Sequence, residues 1–127
     1  MSIRTAMIGF GMSGKVFHTP FLADNPDYSL DAIVTGDPER AALATQLHPT
    51  ARVVPTTEEL FAGAADLDLV VIGTPPSTHL ALADAALDAG LHVVVDKPFV
   101  PTVANGEALL AKARAANRVL TVIQNRR

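Results

Sequence analysis

The sequence predicts an α/β fold built on a doubly wound parallel sheet of six strands, in the order 3-2-1-4-5-6. Three observations lead to this prediction. Short apolar runs alternate with segments of helical periodicity along all 127 residues. The later runs, such as Leu69 to Ile72 and Leu91 to Val95, lack polar alternation, which is typical of parallel strands covered on both faces. A glycine-rich turn follows the first run.

The first half of the chain contains three predicted strands, at Ile3 to Ile8, Tyr28 to Thr35 and Arg52 to Val54. A helix is predicted after the glycine turn, and its apolar positions at helical spacing are Val16, Phe17, Phe21 and Leu22. Asp37-Pro38 combines a capping residue with a proline at the first helical position. This pair predicts the start of a second helix, which runs to about His48.

The second half continues the alternation of helices and strands. Thr56 and Glu59 have the spacing of a capping box, which predicts a short helix to about Phe61. The next predicted helices run from the N-cap Ser77 to Ala89, with Gly90 as C-cap, and from Thr102 to about Ala116. The remaining predicted strands are Leu67 to Ile72, Leu91 to Val95 and Val119 to Ile123.

Composition excludes several classes of partner. Ten Lys and Arg against 13 Asp and Glu give a net charge of −3, so nucleic acid and anionic membranes are not expected partners. No apolar run approaches the roughly 18 to 20 residues of a membrane span, and the first residues lack the layout of a secretory signal. The absence of cysteine fits a reducing compartment, so the cytoplasm is the expected location, and we predict no metal site.

The segment Gly9-x-Gly11-x-x-Gly14 has the spacing of a dinucleotide fingerprint between a strand and a helix. In such a fingerprint the first glycine permits a tight turn, the second lets the backbone approach a pyrophosphate, and the third permits close helix packing. The alternative is a set of glycines that only form a tight turn. The phosphate loop of nucleoside triphosphatases is excluded because its Gly-x-x-x-x-Gly-Lys pattern is missing, and no Tyr-x-x-x-Lys pair of a short-chain dehydrogenase follows Tyr28.

The end of the second strand bears on the choice of cofactor. An NAD site usually has Asp or Glu there to accept hydrogen bonds from the ribose 2′-hydroxyl, whereas this chain has Thr35-Gly36. Asp37 is the expected helix cap. Arg40 lies in the first turn of that helix, where a guanidinium could meet a 2′-phosphate, which favours NADP over NAD. The alternative for Arg40 is a solvated surface charge.

Three motifs, in this order, resemble the N-terminal Rossmann domain of the Gfo/Idh/MocA oxidoreductases. They are Gly9-Phe10-Gly11-Met12-Ser13-Gly14-Lys15-Val16-Phe17-His18, Gly73-Thr74-Pro75-Pro76-Ser77-Thr78-His79, and Ala89-Gly90-Leu91-His92-Val93-Val94-Val95-Asp96-Lys97-Pro98. The first resembles the NADP-using scyllo-inositol dehydrogenase branch in particular. The resemblance covers the whole chain, and it implies an NAD(P)-dependent enzyme that transfers a hydride between a nicotinamide cofactor and a sugar, inositol or related polyol.

The resemblance also implies roles for single residues. Lys97 is the expected catalytic residue, because a lysine there could hold the substrate hydroxyl and lower its effective pKa as the hydride leaves; the alternative is an ordinary surface lysine. His79 is expected to point toward the cofactor, and the alternative is a histidine bonded to its own loop. Asp96 stands where family members usually have Glu. The residues expected to bind the cofactor are Gly9, Phe10, Gly11, Met12, Ser13, Gly14, Thr35, Arg40, Thr74, Pro75, Pro76, His79, Asp96, Lys97 and Asn125.

Family members continue past Gln124-Asn125-Arg126-Arg127 into a second domain that builds the substrate pocket and the oligomer interface. We therefore expect residues 1–127 to form a dinucleotide-binding domain without that second domain, either as part of a longer protein or as a stand-alone module, and to be inactive alone. The alternative function is a non-catalytic dinucleotide-binding module that acts as a redox sensor or carrier. Asp96-Lys97-Pro98 has no obvious use in a sensor, so it favours the enzyme.

Overall fold

The fold is given by a computed structural model that describes residues 3–9, 26–74, 78–96 and 103–123. The strands within those ranges are β1 Ile3–Ile8, β2 Tyr28–Val34, β3 Arg52–Val54, β4 Leu69–Ile72, β5 His92–Asp96 and β6 Leu120–Ile123. The α-helices there are α1 Pro38–Leu47, α2 Thr57–Ala62, α3 His79–Asp88 and α4 Val103–Ala115. The helix predicted after the glycine turn and the predicted cap Thr102 lie outside the described residues. Helix α3 begins at His79 with Thr78 as its N-cap, so the prediction of Ser77 as N-cap is wrong by one residue.

The six strands form one sheet in the order β3-β2-β1-β4-β5-β6, and all neighbouring strands are parallel. β1 lies inside the sheet and pairs with β2 on one side and with β4 on the other. Because all carboxyl ends meet at one edge, the reversal of strand order between β1 and β4 opens a crevice there. The predicted fold class and strand order are confirmed.

Both faces of the sheet are covered, which explains why the strand sequences lack polar alternation. On one face, Ala6 and Ile8 of β1 pack in a cluster that includes Ala83 of α3. On the other face, Met7 of the same strand packs in a second cluster that includes Ala44 of α1. None of the helices in the described ranges is long and apolar enough to cross a membrane.

Two helices begin at the capping residues that the sequence predicts. The Glu39 N–H donates to Asp37 Oδ1 at 2.9 Å at the start of α1. The Glu59 N–H donates to Thr56 Oγ1 at 3.2 Å at the start of α2. Each bond satisfies a backbone donor that has no partner inside its helix.

Helix α3 ends at a glycine in the left-handed region. Gly90 has φ +85°, and the Leu91 N–H donates to the Ala86 carbonyl at 3.0 Å, as in a Schellman motif. Gly90 thus terminates the helix as predicted. Because the Leu91 N–H is used in this motif, β5 begins at His92 rather than at Leu91.

Two other strands start later than the sequence predicts, for similar reasons. The Leu67 N–H donates to the Ala64 carbonyl at 3.0 Å, which closes a 3₁₀ turn, and β4 begins only at Leu69. The Val119 N–H donates to His92 Nδ1 at 2.9 Å, and β6 begins one residue later. In both places a hydrogen bond outside the strand ladder takes a backbone donor that a strand would otherwise use. The acceptor for Leu67 lies in its own 3₁₀ turn, and the acceptor for Val119 is a side chain 27 positions away.

An ion pair joins β1 to the segment before β4 at the amino edge of the sheet. Arg4 Nε and Nη2 donate to the two carboxylate oxygens of Asp68 at 3.1 and 3.0 Å. The Arg4 backbone N–H donates to the same carboxylate at 2.9 Å. These hydrogen bonds, the guanidinium ones first, lower the pKa of the Asp68 carboxyl from 3.8 to about 2.

Candidate functional site

A crevice of about 870 Å³ opens at the carboxyl edge of the sheet, over the ends of β1, β2 and β4. This is where an open parallel sheet binds ligands, and the volume lies within the roughly 300 to 1,000 Å³ typical of small-molecule sites. The structure brings four of the predicted cofactor-binding residues onto its wall, namely Gly9, Thr35, Arg40 and Thr74. These four residues come from parts of the chain that are up to 65 positions apart (74 − 9 = 65).

Gly9 follows β1 with a backbone that requires glycine. Its φ is +96°, and a β-carbon built there would lie 3.0 Å from Thr74 Cγ2 and 3.2 Å from the Gly73 carbonyl oxygen. The Gly9 N–H donates to the Val34 carbonyl at 2.8 Å, which holds this backbone against β2. The first glycine of the predicted fingerprint therefore lies on the crevice wall in a conformation that favours glycine.

The end of β2 presents a small polar side chain to the crevice. The Thr35 N–H donates to the Val54 carbonyl of β3 at 3.1 Å, and the residue is buried. The Asp37 N–H donates to Thr35 Oγ1 at 3.4 Å, while the Asp37 carboxylate caps α1. Asp37 has therefore the capping role that the sequence predicts.

Arg40 lies one helical turn further along, on the wall of the crevice. Its side chain is 56% exposed, and its Nε lies 3.8 Å from Asp37 Oδ2. Such a long, exposed ion pair holds a guanidinium only weakly. The position is compatible with both interpretations of Arg40, a group that meets a 2′-phosphate or a solvated charge.

The opposite wall is formed at the end of β4 by hydrogen-bonded side chains. Thr74 Oγ1 and Thr78 Oγ1 lie 2.5 Å apart. His79 is 1% exposed, and its Nε2 lies 2.8 Å from the Thr74 carbonyl oxygen. This is the contact expected of a histidine bonded to its own loop, so a direct contact of His79 with a cofactor stays a prediction.

Several predicted site residues cannot be compared with the structure. Phe10, Gly11, Met12, Ser13, Gly14, Pro75, Pro76, Lys97 and Asn125 lie outside the described residues, as does the side chain of Asp96. Asp96 is the last residue of β5, and its backbone pairs with that of Ile123 in β6. Lys97 is the next residue along the chain.

The structure adds crevice residues that the sequence analysis did not single out. Thr78 lines the wall next to Thr74, and Pro55, Thr56 and Thr57 line it after β3. The residues after β3 could have been expected from the predicted strand order, because the order 3-2-1 brings the end of β3 beside the end of β2. Thr78 belongs to the second motif, but no sequence pattern reports that its hydroxyl reaches Thr74.

A comparison with protein families finds a family profile that matches nearly the whole chain. The profile of the Gfo/Idh/MocA oxidoreductase family, NAD-binding Rossmann fold, matches residues 3–124. The match includes all strands and helices of the described ranges.

Individual relatives agree with the family profile. The oxidoreductase YdgJ of Escherichia coli K12 is 44% identical over 126 residues, which cover 99% of this chain and 35% of YdgJ. The scyllo-inositol 2-dehydrogenase (NADP(+)) IolW of Bacillus subtilis is 35% identical over 126 residues, or 99% of this chain and 34% of IolW. A crystal structure of an oxidoreductase from Bacteroides fragilis, 42% identical, covers 100% of this chain and 36% of its own, with a TM-score of 0.93. This chain spans about a third of the length of these relatives.

Proposed function

This chain belongs to the Gfo/Idh/MocA oxidoreductase family, as an NAD-binding Rossmann domain, and from that premise we propose that it is the cofactor-binding part of a dehydrogenase. The reaction is the transfer of a hydride between NAD(P) and a sugar, inositol or related polyol. The bound nicotinamide supplies or accepts that hydride. In the relatives, the remaining two-thirds of the length corresponds to the part that would complete the substrate pocket and form an oligomer interface. We expect the enzyme to act in the cytoplasm.

The observation that carries the proposal is the fit between the crevice and a dinucleotide. Gly9, directly after β1, has a positive φ, and a β-carbon there would lie 3.0 Å from Thr74 Cγ2, so any side chain at this position is strained. The crevice above it continues over the end of β2 to Arg40, along the half of the sheet that binds the adenosine part of a dinucleotide. Gly9 would leave room for the pyrophosphate, and Thr35 and Arg40 would hold the adenosine ribose.

Three features of the same crevice favour NADP over NAD. Thr35 replaces the carboxylate that would accept hydrogen bonds from the ribose 2′-hydroxyl. The nearest carboxylate, Asp37, is engaged by the Glu39 N–H as a helix cap. The weakly held guanidinium of Arg40 stands on the crevice wall, where it can pair with a 2′-phosphate.

Lys97 is the proposed catalytic residue. It follows β5, whose carboxyl end lies at the same edge of the sheet as the crevice. A lysine at that place can donate a hydrogen bond to the substrate hydroxyl and lower the pKa of that hydroxyl as the hydride leaves the same carbon. This role rests on the resemblance of Asp96-Lys97-Pro98 to the family motif.

A graft experiment tests the proposed reaction. The residues of Bacillus subtilis IolW that align with this chain are replaced by the chain itself, and the chimaera is assayed with scyllo-inositol and NADP⁺. We expect NADPH production by the chimaera and none by its Lys97→Met variant. A chimaera that binds NADPH but does not reduce NADP⁺ in the presence of scyllo-inositol would favour the alternative function, a dinucleotide-binding sensor or carrier.

A further inference from the structure

His79 is a buried side chain at the start of α3, and its ring contacts the backbone of the segment that follows β4. Its Nε2 lies 2.8 Å from the Thr74 carbonyl oxygen. A carbonyl oxygen can only accept, so the ring must carry its proton on Nε2 and donate it to Thr74. The donor of this hydrogen bond comes from a helix that is packed into the core through residues such as Ala83 and Leu87.

The residue that His79 holds is itself part of the crevice wall. The Thr74 methyl would touch any β-carbon placed on Gly9, and the Thr74 hydroxyl lies 2.5 Å from that of Thr78. The preceding Gly73 N–H donates to the Ile8 carbonyl at 3.0 Å. A shift of the Thr74 carbonyl would therefore move the Thr74 side chain relative to Gly9.

We propose that His79 is a positioning residue for the dinucleotide, which acts by fixing the Thr74 carbonyl and thereby the wall that faces Gly9. The proposal deepens the function proposed above and rests on it. Because His79 acts on the wall at β1 and β4, and not on the end of β2 where Arg40 stands, its loss should weaken NADPH and NADH binding equally. The selectivity between the two cofactors should stay unchanged.

Binding measurements on four variants test the proposal. His79→Leu removes the donor and should weaken both cofactors about tenfold, as expected for a lost buried hydrogen bond. His79→Gln can place an amide N–H where Nε2 stands and should bind close to wild type, whereas the shorter side chain of His79→Asn cannot and should resemble His79→Leu. Leu87→Ala is the matched control on the same helix, because it destabilises the core without touching Thr74.

The outcomes separate positioning from mere stability. We expect Leu87→Ala to lower the unfolding midpoint while keeping the dissociation constants, and His79→Leu to raise both constants in the folded protein. Equal affinities for His79→Leu and wild type, a change in the NADPH to NADH ratio, or equal losses in Leu87→Ala would overturn the proposal. If His79→Leu does not fold, the Gln and Asn variants decide, and equal affinities for these two would overturn it.

A measurement without cofactor distinguishes this proposal from the proposed function. Freed of His79, the loop should open more often, so the Gly73 amide should exchange its hydrogen faster in His79→Asn than in His79→Gln. Equal exchange in the two variants would overturn the positioning role even if the wild type binds cofactor. Absence of binding to the folded wild type, with the exchange difference present, would instead contradict the proposed function and leave His79 as the residue that fixes this loop.

Discussion

The Thr74 methyl carbon lies 3.0 Å from the position that a β-carbon on Gly9 would occupy. This contact joins the carboxyl ends of β1 and β4, where the strand order of the sheet reverses. The backbone of Gly9 and the side chain of Thr74 therefore pack directly against each other. A substitution at either residue should therefore change the crevice more than it changes the rest of the fold.

Gly9→Ala tests this relationship. The alanine would have to adopt a φ of +96° and push Thr74 away, so we expect a loss of stability on the order of 1 to 3 kcal/mol. We also expect NADPH affinity to fall, because the backbone at the crevice floor must move. Urea unfolding measures the first effect, and NADPH fluorescence titration of the folded variant measures the second.

Gly90→Ala is the matched control. Gly90 also has a positive φ, +85°, but a β-carbon there meets nothing within 4 Å, and the residue lies at the end of α3 that is remote from the crevice. This variant should lose stability through backbone strain and keep its NADPH affinity. Similar affinity losses in the two variants would mean that the Gly9 effect is general destabilisation.

Arg40→Ala tests the preference for NADP. A charged pair with the 2′-phosphate at a half-exposed position should contribute about 1 kcal/mol, roughly a fivefold difference in affinity. Calorimetry should show that the variant loses affinity for NADP and keeps its affinity for NAD, which has no 2′-phosphate. Arg114→Ala is the control, because it removes the same charge from the exposed surface of α4. A wild type that binds NAD as tightly as NADP would contradict this assignment.

The Arg4–Asp68 pair should make stability depend on pH in the acid range. The pKa of Asp68 is lowered from 3.8 to about 2 in the folded protein. The ion pair therefore stabilises the fold fully at pH values above the ordinary pKa of 3.8. That contribution is lost as the pH falls through about 2. The stability difference between wild type and Asp68→Asn, measured by urea unfolding, should be constant above about pH 5 and should shrink from pH 4 downward. A difference that stays constant down to pH 2 would show that Asp68 acts by packing alone.

Much of the fold followed from sequence because its signals are local. Uninterrupted apolar runs such as Leu69 to Ile72 indicate buried parallel strands, and Asp37-Pro38 marks the start of a helix that the structure places there. The starts of β4, β5 and β6 could not be predicted, because each depends on one hydrogen bond of a residue such as Leu91 or Val119. The Val119 bond joins residues 27 positions apart, so its partner is known only once the chain has folded. The bonds of Leu67 and Leu91 lie within local turns, whose sequence signals do not fix the first residue of the following strand.

The site was predictable to a smaller extent. The glycine spacing and the strand order indicate where the crevice opens, and Gly9, Thr35, Arg40 and Thr74 do line it. The contact between Thr74 and Gly9 joins residues 65 positions apart in sequence (74 − 9 = 65), so no local pattern reports it. The hydrogen bond from His79 to Thr74 likewise depends on how α3 packs against the sheet.

Titration of NADPH and NADH with the 127-residue chain tests the central claim most directly. Cofactor fluorescence should saturate at one site per chain, with tighter binding of NADPH than of NADH and with weaker binding in Gly9→Ala but not in Gly90→Ala. A panel of sugars and polyols added to the same chain should give no turnover. A folded chain that leaves the fluorescence of both cofactors unchanged would contradict the account.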